Sequence, residues 1–95
     1  MKKIWTDEAW EDYLSWHEKD KKTLKKIHKI LQDIDRNGYN CSGKCERLKY
    51  ELSDYWSVRI DEKNRLVFRI VGDCIEIYQC ATHYGDKYSS RYLTV

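Results

Sequence analysis

The spacing of hydrophobic residues changes partway along this chain, from a helical repeat before Asn37 to alternation after Tyr55. Residues 2–5 read as a short strand. Thr6 suits a helix N-cap, and Asp7 and Glu8 suit the positive end of the helix that follows. Ala9, Trp10, Tyr13, Leu14 and His17 then recur at helical spacing. The polar run Glu18-Lys19-Asp20 interrupts them, with Asp20 as the next cap. A second helix carries Leu24, Ile27, His28, Leu31 and Ile34 on one stripe, with Lys21, Lys22, Lys25, Lys26 and Lys29 largely around its other faces. Asn37-Gly38 is a helix stop. The pattern predicts two antiparallel helices joined by a tight turn.

A loop over 39–45 containing Gly43 separates the helices from strand-like runs at 46–50, 55–61, 65–71 and 74–82. Val71-Gly72-Asp73-Cys74 reads as a two-residue hairpin. That register sets Val71 opposite Cys74, Arg69 opposite Glu76, Val67 opposite Tyr78 and Arg65 opposite Cys80. A loop of Glu62-Lys63-Asn64 before it sets Ile60 opposite Leu66 and Val58 opposite Phe68. One face then carries Trp56, Val58, Ile60, Leu66, Phe68, Ile70, Ile75 and Ile77, a core face for the helices to cover. The other carries Arg59, Arg65, Val67, Arg69, Tyr78, Thr82 and Tyr84. The expected fold is α+β, with two N-terminal helices packed on one face of a twisted antiparallel sheet.

Ninety-five residues make one domain with a modest core. Four Trp and eight Tyr are a heavy aromatic load, useful in a small core and equally able to stack on bases. Net charge is only +2, which rules out nucleic-acid binding by bulk attraction and requires a local cluster. From Lys44 to Arg69 there are seven basic residues against five acidic ones, a mild local excess. No stretch is apolar for long enough to cross a membrane. The start runs at once into Asp7, Glu8, Glu11 and Asp12, which does not fit a signal peptide, so a cytoplasmic protein is expected. The spacings of Cys41, Cys45, Cys74 and Cys80 disfavour zinc, and buried or incidental thiols are the expected state.

Chemistry concentrates between Glu46 and Tyr84. A carboxylate, several arginines and a histidine suit RNA cleavage without a metal. Glu46 can take a proton from a ribose 2′-OH, His83 can give one to the leaving oxygen, and an arginine can hold the phosphate as charge builds. Arg65 beside Arg59 is costly repulsion unless an anion fills the gap. Arg69 is expected to pair with Glu76. His17 and His28 lie on helix stripes and are expected in core or boundary packing. Strict alternation sends His83 to the core face, away from Arg65. Its participation therefore requires a bulge or the end of the strand near 81–83.

Several segments carry a resemblance. They include Lys3-Ile4-Trp5, Trp10-Glu11-Asp12-Tyr13-Leu14, Asp20-Lys21, Lys25-Lys26-Ile27, Glu46-Arg47-Leu48-Lys49 and Tyr55-Trp56-Ser57-Val58-Arg59-Ile60. Ser15-Trp16, Gly43-Lys44, Leu52-Ser53, Asn64-Arg65-Leu66-Val67 and His83-Tyr84 complete the set. Over residues 1–84 the chain resembles YoeB-type toxins, mRNA interferases of the RelE superfamily with a microbial-ribonuclease-like fold. The resemblance implies an endoribonuclease that cuts mRNA in the ribosomal A site and is neutralised by a YefM-type antitoxin. It implies Glu46 as general base, Arg65 as phosphate-binding residue and His83 as general acid. Lys49 and Arg59 would be supporting basic residues, and Tyr84 would place the substrate. No cofactor or metal is implied, and homodimerisation is consistent with the family. Residues 1–84 form the expected ribonuclease domain, and residues 85–95 are a C-terminal tail past the His-Tyr pair. Two rival readings stay open: a toxin of the same fold acting on DNA gyrase, and a catalytically silent RNA- or ribosome-binding protein.

Overall fold

The computed structural model describes residues 1–41 and 45–81. Strand β1 (Lys2–Trp5) leads into helices α1 (Asp7–Lys19) and α2 (Lys21–Asn37). Strands β2 (Glu46–Arg47), β3 (Trp56–Arg59), β4 (Arg65–Val71) and β5 (Cys74–Ala81) follow. The sheet order is β1-β5-β4-β3-β2.

The local signals act as expected in the helices. The Thr6 hydroxyl accepts from the Ala9 amide at 3.0 Å. Asp20 closes one helix and opens the next. Its amide donates to the Trp16 carbonyl at 3.1 Å, and its carboxylate accepts from the Lys22 and Thr23 amides at 3.0 and 3.3 Å. The Thr23 hydroxyl and these amides hold the Asp20 carboxyl below its usual range. Gly38 ends α2 at φ 57°, in the left-handed region that glycine enters without steric cost.

The helices bury Ala9, Trp16, Leu24, Ile27, Leu31 and Ile34 against Val58, Ile60, Leu66, Phe68, Ile75, Ile77 and Cys80. The Trp16 indole donates to the Cys80 carbonyl at 2.8 Å, tying α1 to β5. Only Ala9 and Trp16 of α1 are buried, so its apolar stripe is narrow. His17 and His28 are therefore exposed, against the expectation of core or boundary packing. His28 Nε2 instead meets the Tyr13 hydroxyl at 2.9 Å.

The sheet is mixed rather than wholly antiparallel, because β1 pairs with β5 in parallel. A parallel neighbour needs a long connection, and both helices and three strands intervene here. The run expected as a strand over 46–50 pairs only at Glu46 and Arg47 before a 3-10 turn at Tyr50–Leu52. The first hairpin is also longer than expected. Val58 pairs with Leu66 and Trp56 with Phe68, not Ile60 with Leu66 and Val58 with Phe68. The Asp61 carboxylate accepts from the Lys63 and Asn64 amides, each at 2.8 Å. That side chain offers these amides an alternative to ladder pairing, and the turn widens. Cys41 and Cys45 form a disulfide with Cα atoms 6.5 Å apart, where free thiols were expected. Among the described residues no helix is long and apolar enough to cross a membrane.

Candidate active site

The second hairpin begins as the sequence predicts, with Val71 opposite Cys74 and Arg69 opposite Glu76. It then departs. Phe68 pairs with Ile77 but Val67 pairs with Gln79, leaving Tyr78 as an extra residue in β5. This bulge replaces the expected pairing of Val67 with Tyr78 and puts Ala81, not Cys80, opposite Arg65. A one-residue insertion exchanges the faces of everything after it. Cys80 turns inward and is fully buried, while Gln79 and Ala81 share the opposite face with Val67 and Arg65, where Val67 and Gln79 are themselves buried. An irregularity therefore occurs at Tyr78; the one expected near 81–83 falls at the end of the described residues, with 82 and 83 outside them.

The open face can be read as rows across the strands. Arg59 and Arg65 are directly paired, so their Cβ atoms are about 5 Å apart. The next row is Glu46, Ser57, Val67 and Gln79, linked by pairing across all four antiparallel strands; Glu46 is exposed and the other three are buried. Residues directly opposite share a face, so Glu46 lies on the same side as the arginines. It is a diagonal neighbour of Arg59, about 7–8 Å away by Cα, within reach of long side chains. Among the described residues neither Arg59 nor Arg65 has a carboxylate partner. Arg59 and Glu46 are exposed and Arg65 is half-buried.

Lys49 is exposed and stands immediately before the 3-10 turn, two residues past β2. The Arg47 guanidinium donates to the Ser53 carbonyl at 2.8 Å and braces this connection. Tyr50 within it has φ 62°, an uncommon conformation for a bulky residue. His83 and Tyr84 lie outside the described residues, as does the tail. The described strand ends at Ala81, two residues before His83.

A third row was not legible as part of a site. Tyr55, just before β3, occupies the position across from Arg69, which pairs with Glu76. The Arg69 guanidinium lies over the Tyr55 ring at 5.0 Å and donates to the Glu76 carboxylate. Glu76 raises the guanidinium's pKa further. The Tyr55 and Tyr78 rings stand 5.2 Å apart. The expected pairing of Arg69 with Glu76 is present, and the Tyr55 ring beside it is what the strand pattern did not show. Gln79 carried no signal in the sequence either. It is 3% exposed, and its carboxamide oxygen has no hydrogen-bond partner among the described residues.

Comparison with known proteins identifies relatives of the chain and of its fold. Residues 5–84 match the family described as YoeB-like toxin of bacterial type II toxin-antitoxin systems. A toxin YoeB of Escherichia coli O6:H1 is 46% identical over 84 residues, covering 88% of this chain and 100% of that one. The toxin in a YoeB-YefM complex from Staphylococcus aureus superposes with TM-score 0.84 at 39% identity, covering 88% and 98% of the two chains. A YoeB dimer from the same organism superposes with TM-score 0.81 at 40% identity, with the same coverage.

Proposed function

The chain belongs to the YoeB-like toxins of bacterial type II toxin-antitoxin systems, and from that membership we propose that it is a ribosome-dependent endoribonuclease working by metal-independent acid-base catalysis. The observation that carries the reading is the directly opposed pair Arg59 and Arg65 with Glu46 one row away. Like charges placed directly opposite destabilise a sheet. A phosphodiester between them would convert that cost into paired, charge-assisted hydrogen bonds.

In this reading Glu46 removes the proton from a ribose 2′-OH. The resulting oxygen attacks the adjacent phosphorus, and the bond to the 5′-oxygen breaks. His83 protonates that leaving oxygen, so the products are a 2′,3′-cyclic phosphate and a 5′-hydroxyl. Arg65 neutralises charge as it builds on the phosphoryl oxygens, with Arg59 and Lys49 in support. Tyr84 places the nucleotide. The roles of His83 and Tyr84 rest on their match to the family pair.

The partners follow from the same membership. A YefM-type antitoxin would lay an acidic segment against the open face, and the S. aureus toxin that superposes on this chain is itself in complex with YefM. Ribosome-bound mRNA is the substrate, and a homodimer is the proposed assembly. Trp10 and Leu14, 45% and 46% exposed on α1, supply apolar surface for it.

The test is incubation of purified protein with translating ribosomes and mapping of the mRNA ends. Cleavage within A-site codons, lost in Glu46→Ala and His83→Ala, is expected. Unchanged cutting by either variant, or intact mRNA alongside gyrase inhibition, overturns the proposal.

A further inference from the structure

The Tyr55–Arg69–Glu76 row sits on the open face, but its chemistry differs from that of the arginine pair. Arg59 and Arg65 lack acidic partners among the described residues, whereas the Arg69 charge is already engaged by Glu76. A second phosphate would gain little there. What the row offers instead is aromatic surface. Tyr55 is fixed by two backbone bonds, its amide donating to the Leu52 carbonyl and its carbonyl accepting from the Leu48 amide, both at 2.9 Å. Tyr78 is the bulged residue, and the Thr6 hydroxyl donates to its carbonyl at 2.9 Å. Bulges re-aim side chains next to functional sites.

The two rings, in contact with each other, line one side of a cleft of about 210 Å³ together with Trp5 and Glu76. That is below the roughly 300–1,000 Å³ of pockets for drug-sized ligands, so it suits one ring system and not a whole nucleotide. Arg69 stands four residues along β4 from Arg65, about 13 Å at ordinary strand rise.

We propose that Tyr55 and Tyr78 form a stacking subsite for a nucleobase flanking the scissile step of single-stranded RNA. Arg69, held between Glu76 and the Tyr55 ring, keeps Tyr55 in place. The inference rests on the endoribonuclease reading and adds to it a division of labour across one sheet face. The arginine row takes the phosphate, and the tyrosine row takes a base. Stacking tolerates any base, because every base has a π-face.

The test compares Tyr78→Leu, Tyr78→Phe and Tyr55→Leu with the unaltered chain in ribosome-programmed mRNA cleavage, after thermal melts establish that each is folded. Tyr78→Leu and Tyr55→Leu should raise KM by roughly ten- to a hundredfold, in excess of any fall in kcat, and Tyr78→Phe should rescue. Because the subsite makes no phosphate contact, Tyr78→Leu should leave the salt dependence of RNA binding unchanged. Arg65→Gln should reduce that slope by about one. An mRNA carrying 2-aminopurine beside the cleaved step should lose fluorescence on binding, and lose less with Tyr78→Leu. If the unaltered chain cuts but folded Tyr78→Leu cuts with the same KM, the subsite is wrong and the nuclease reading stands. If the unaltered chain cuts no mRNA, the nuclease reading itself fails.

Discussion

Arg59 and Arg65 face each other directly across β3 and β4. Opposed like charges on neighbouring strands cost stability, so under the proposed function the pair sets folding against phosphate binding. Arg65→Gln should stabilise the fold by about 0.2–1 kcal/mol. It should also lower kcat by roughly 10²–10³, the usual loss when a donor to developing charge is removed. Urea midpoints and single-turnover cleavage measure the two effects, and a destabilised Arg65→Gln would contradict the first.

Trp16 joins the helical layer to the strand that leads toward His83. Its indole donates to the buried Cys80 carbonyl at 2.8 Å. Trp16→Phe keeps most of the apolar contact but leaves that acceptor unpaired, at a cost of about 1–3 kcal/mol. A fall in the melting temperature of roughly 4–8 °C per kcal/mol is the expected readout.

The Asp61 turn should show a pH signature. Burial pushes its carboxyl up, but hydrogen bonds from the Asn64 side chain and the Lys63 and Asn64 amides outweigh burial, and the net shift is downward. A depressed carboxyl contributes stability above its unfolded pKa and loses it as pH falls through the folded value. Asp61→Asn should therefore cost roughly 1 kcal/mol near neutral pH. The difference from the unaltered chain should shrink below about pH 4. Urea unfolding at neutral pH and at pH 3 compares them, and a gap that widens in acid would contradict the assignment.

Tyr50 sits at φ 62° beside Lys49 and is 76% exposed. Left-handed backbone costs an ordinary residue about 1–2 kcal/mol, and glycine avoids most of that cost while losing more chain entropy. Tyr50→Gly should keep the stability of the unaltered chain or gain up to about 1 kcal/mol, whereas β-branched Tyr50→Val should lose stability. Chemical denaturation of the pair provides the comparison.

The Cys41–Cys45 bond closes a short loop just ahead of Glu46. Loop-entropy arguments give roughly 2 kcal/mol for such a loop. Dithiothreitol should lower the unfolding free energy by about that amount, and the response should vanish in the double variant Cys41→Ala, Cys45→Ala.

The sequence by itself determined the elements whose signals are local. Thr6 and Asp20 cap helices through their own side chains, and Gly38 stops one because it tolerates φ 57°. The Gly72-Asp73 turn set the register of Arg69 opposite Glu76, since a tight turn counts residues outward from itself. Alternation on β3 and β4 put Arg59 and Arg65 on one face, and the motifs between Lys3 and Tyr84 pointed to the family. The tertiary structure decided what depends on distant neighbours. Whether β1 runs parallel to β5 depends on which sheet edge remains free after the other strands have paired. The Asp61 side chain took over amides that loop counting had assigned to the ladder. The bulge at Tyr78 was hidden for the same reason: an inserted residue shows only against a partner strand, and Val67 to Phe68 supplies that partner. That single insertion turns Cys80 inward and puts Ala81 opposite Arg65.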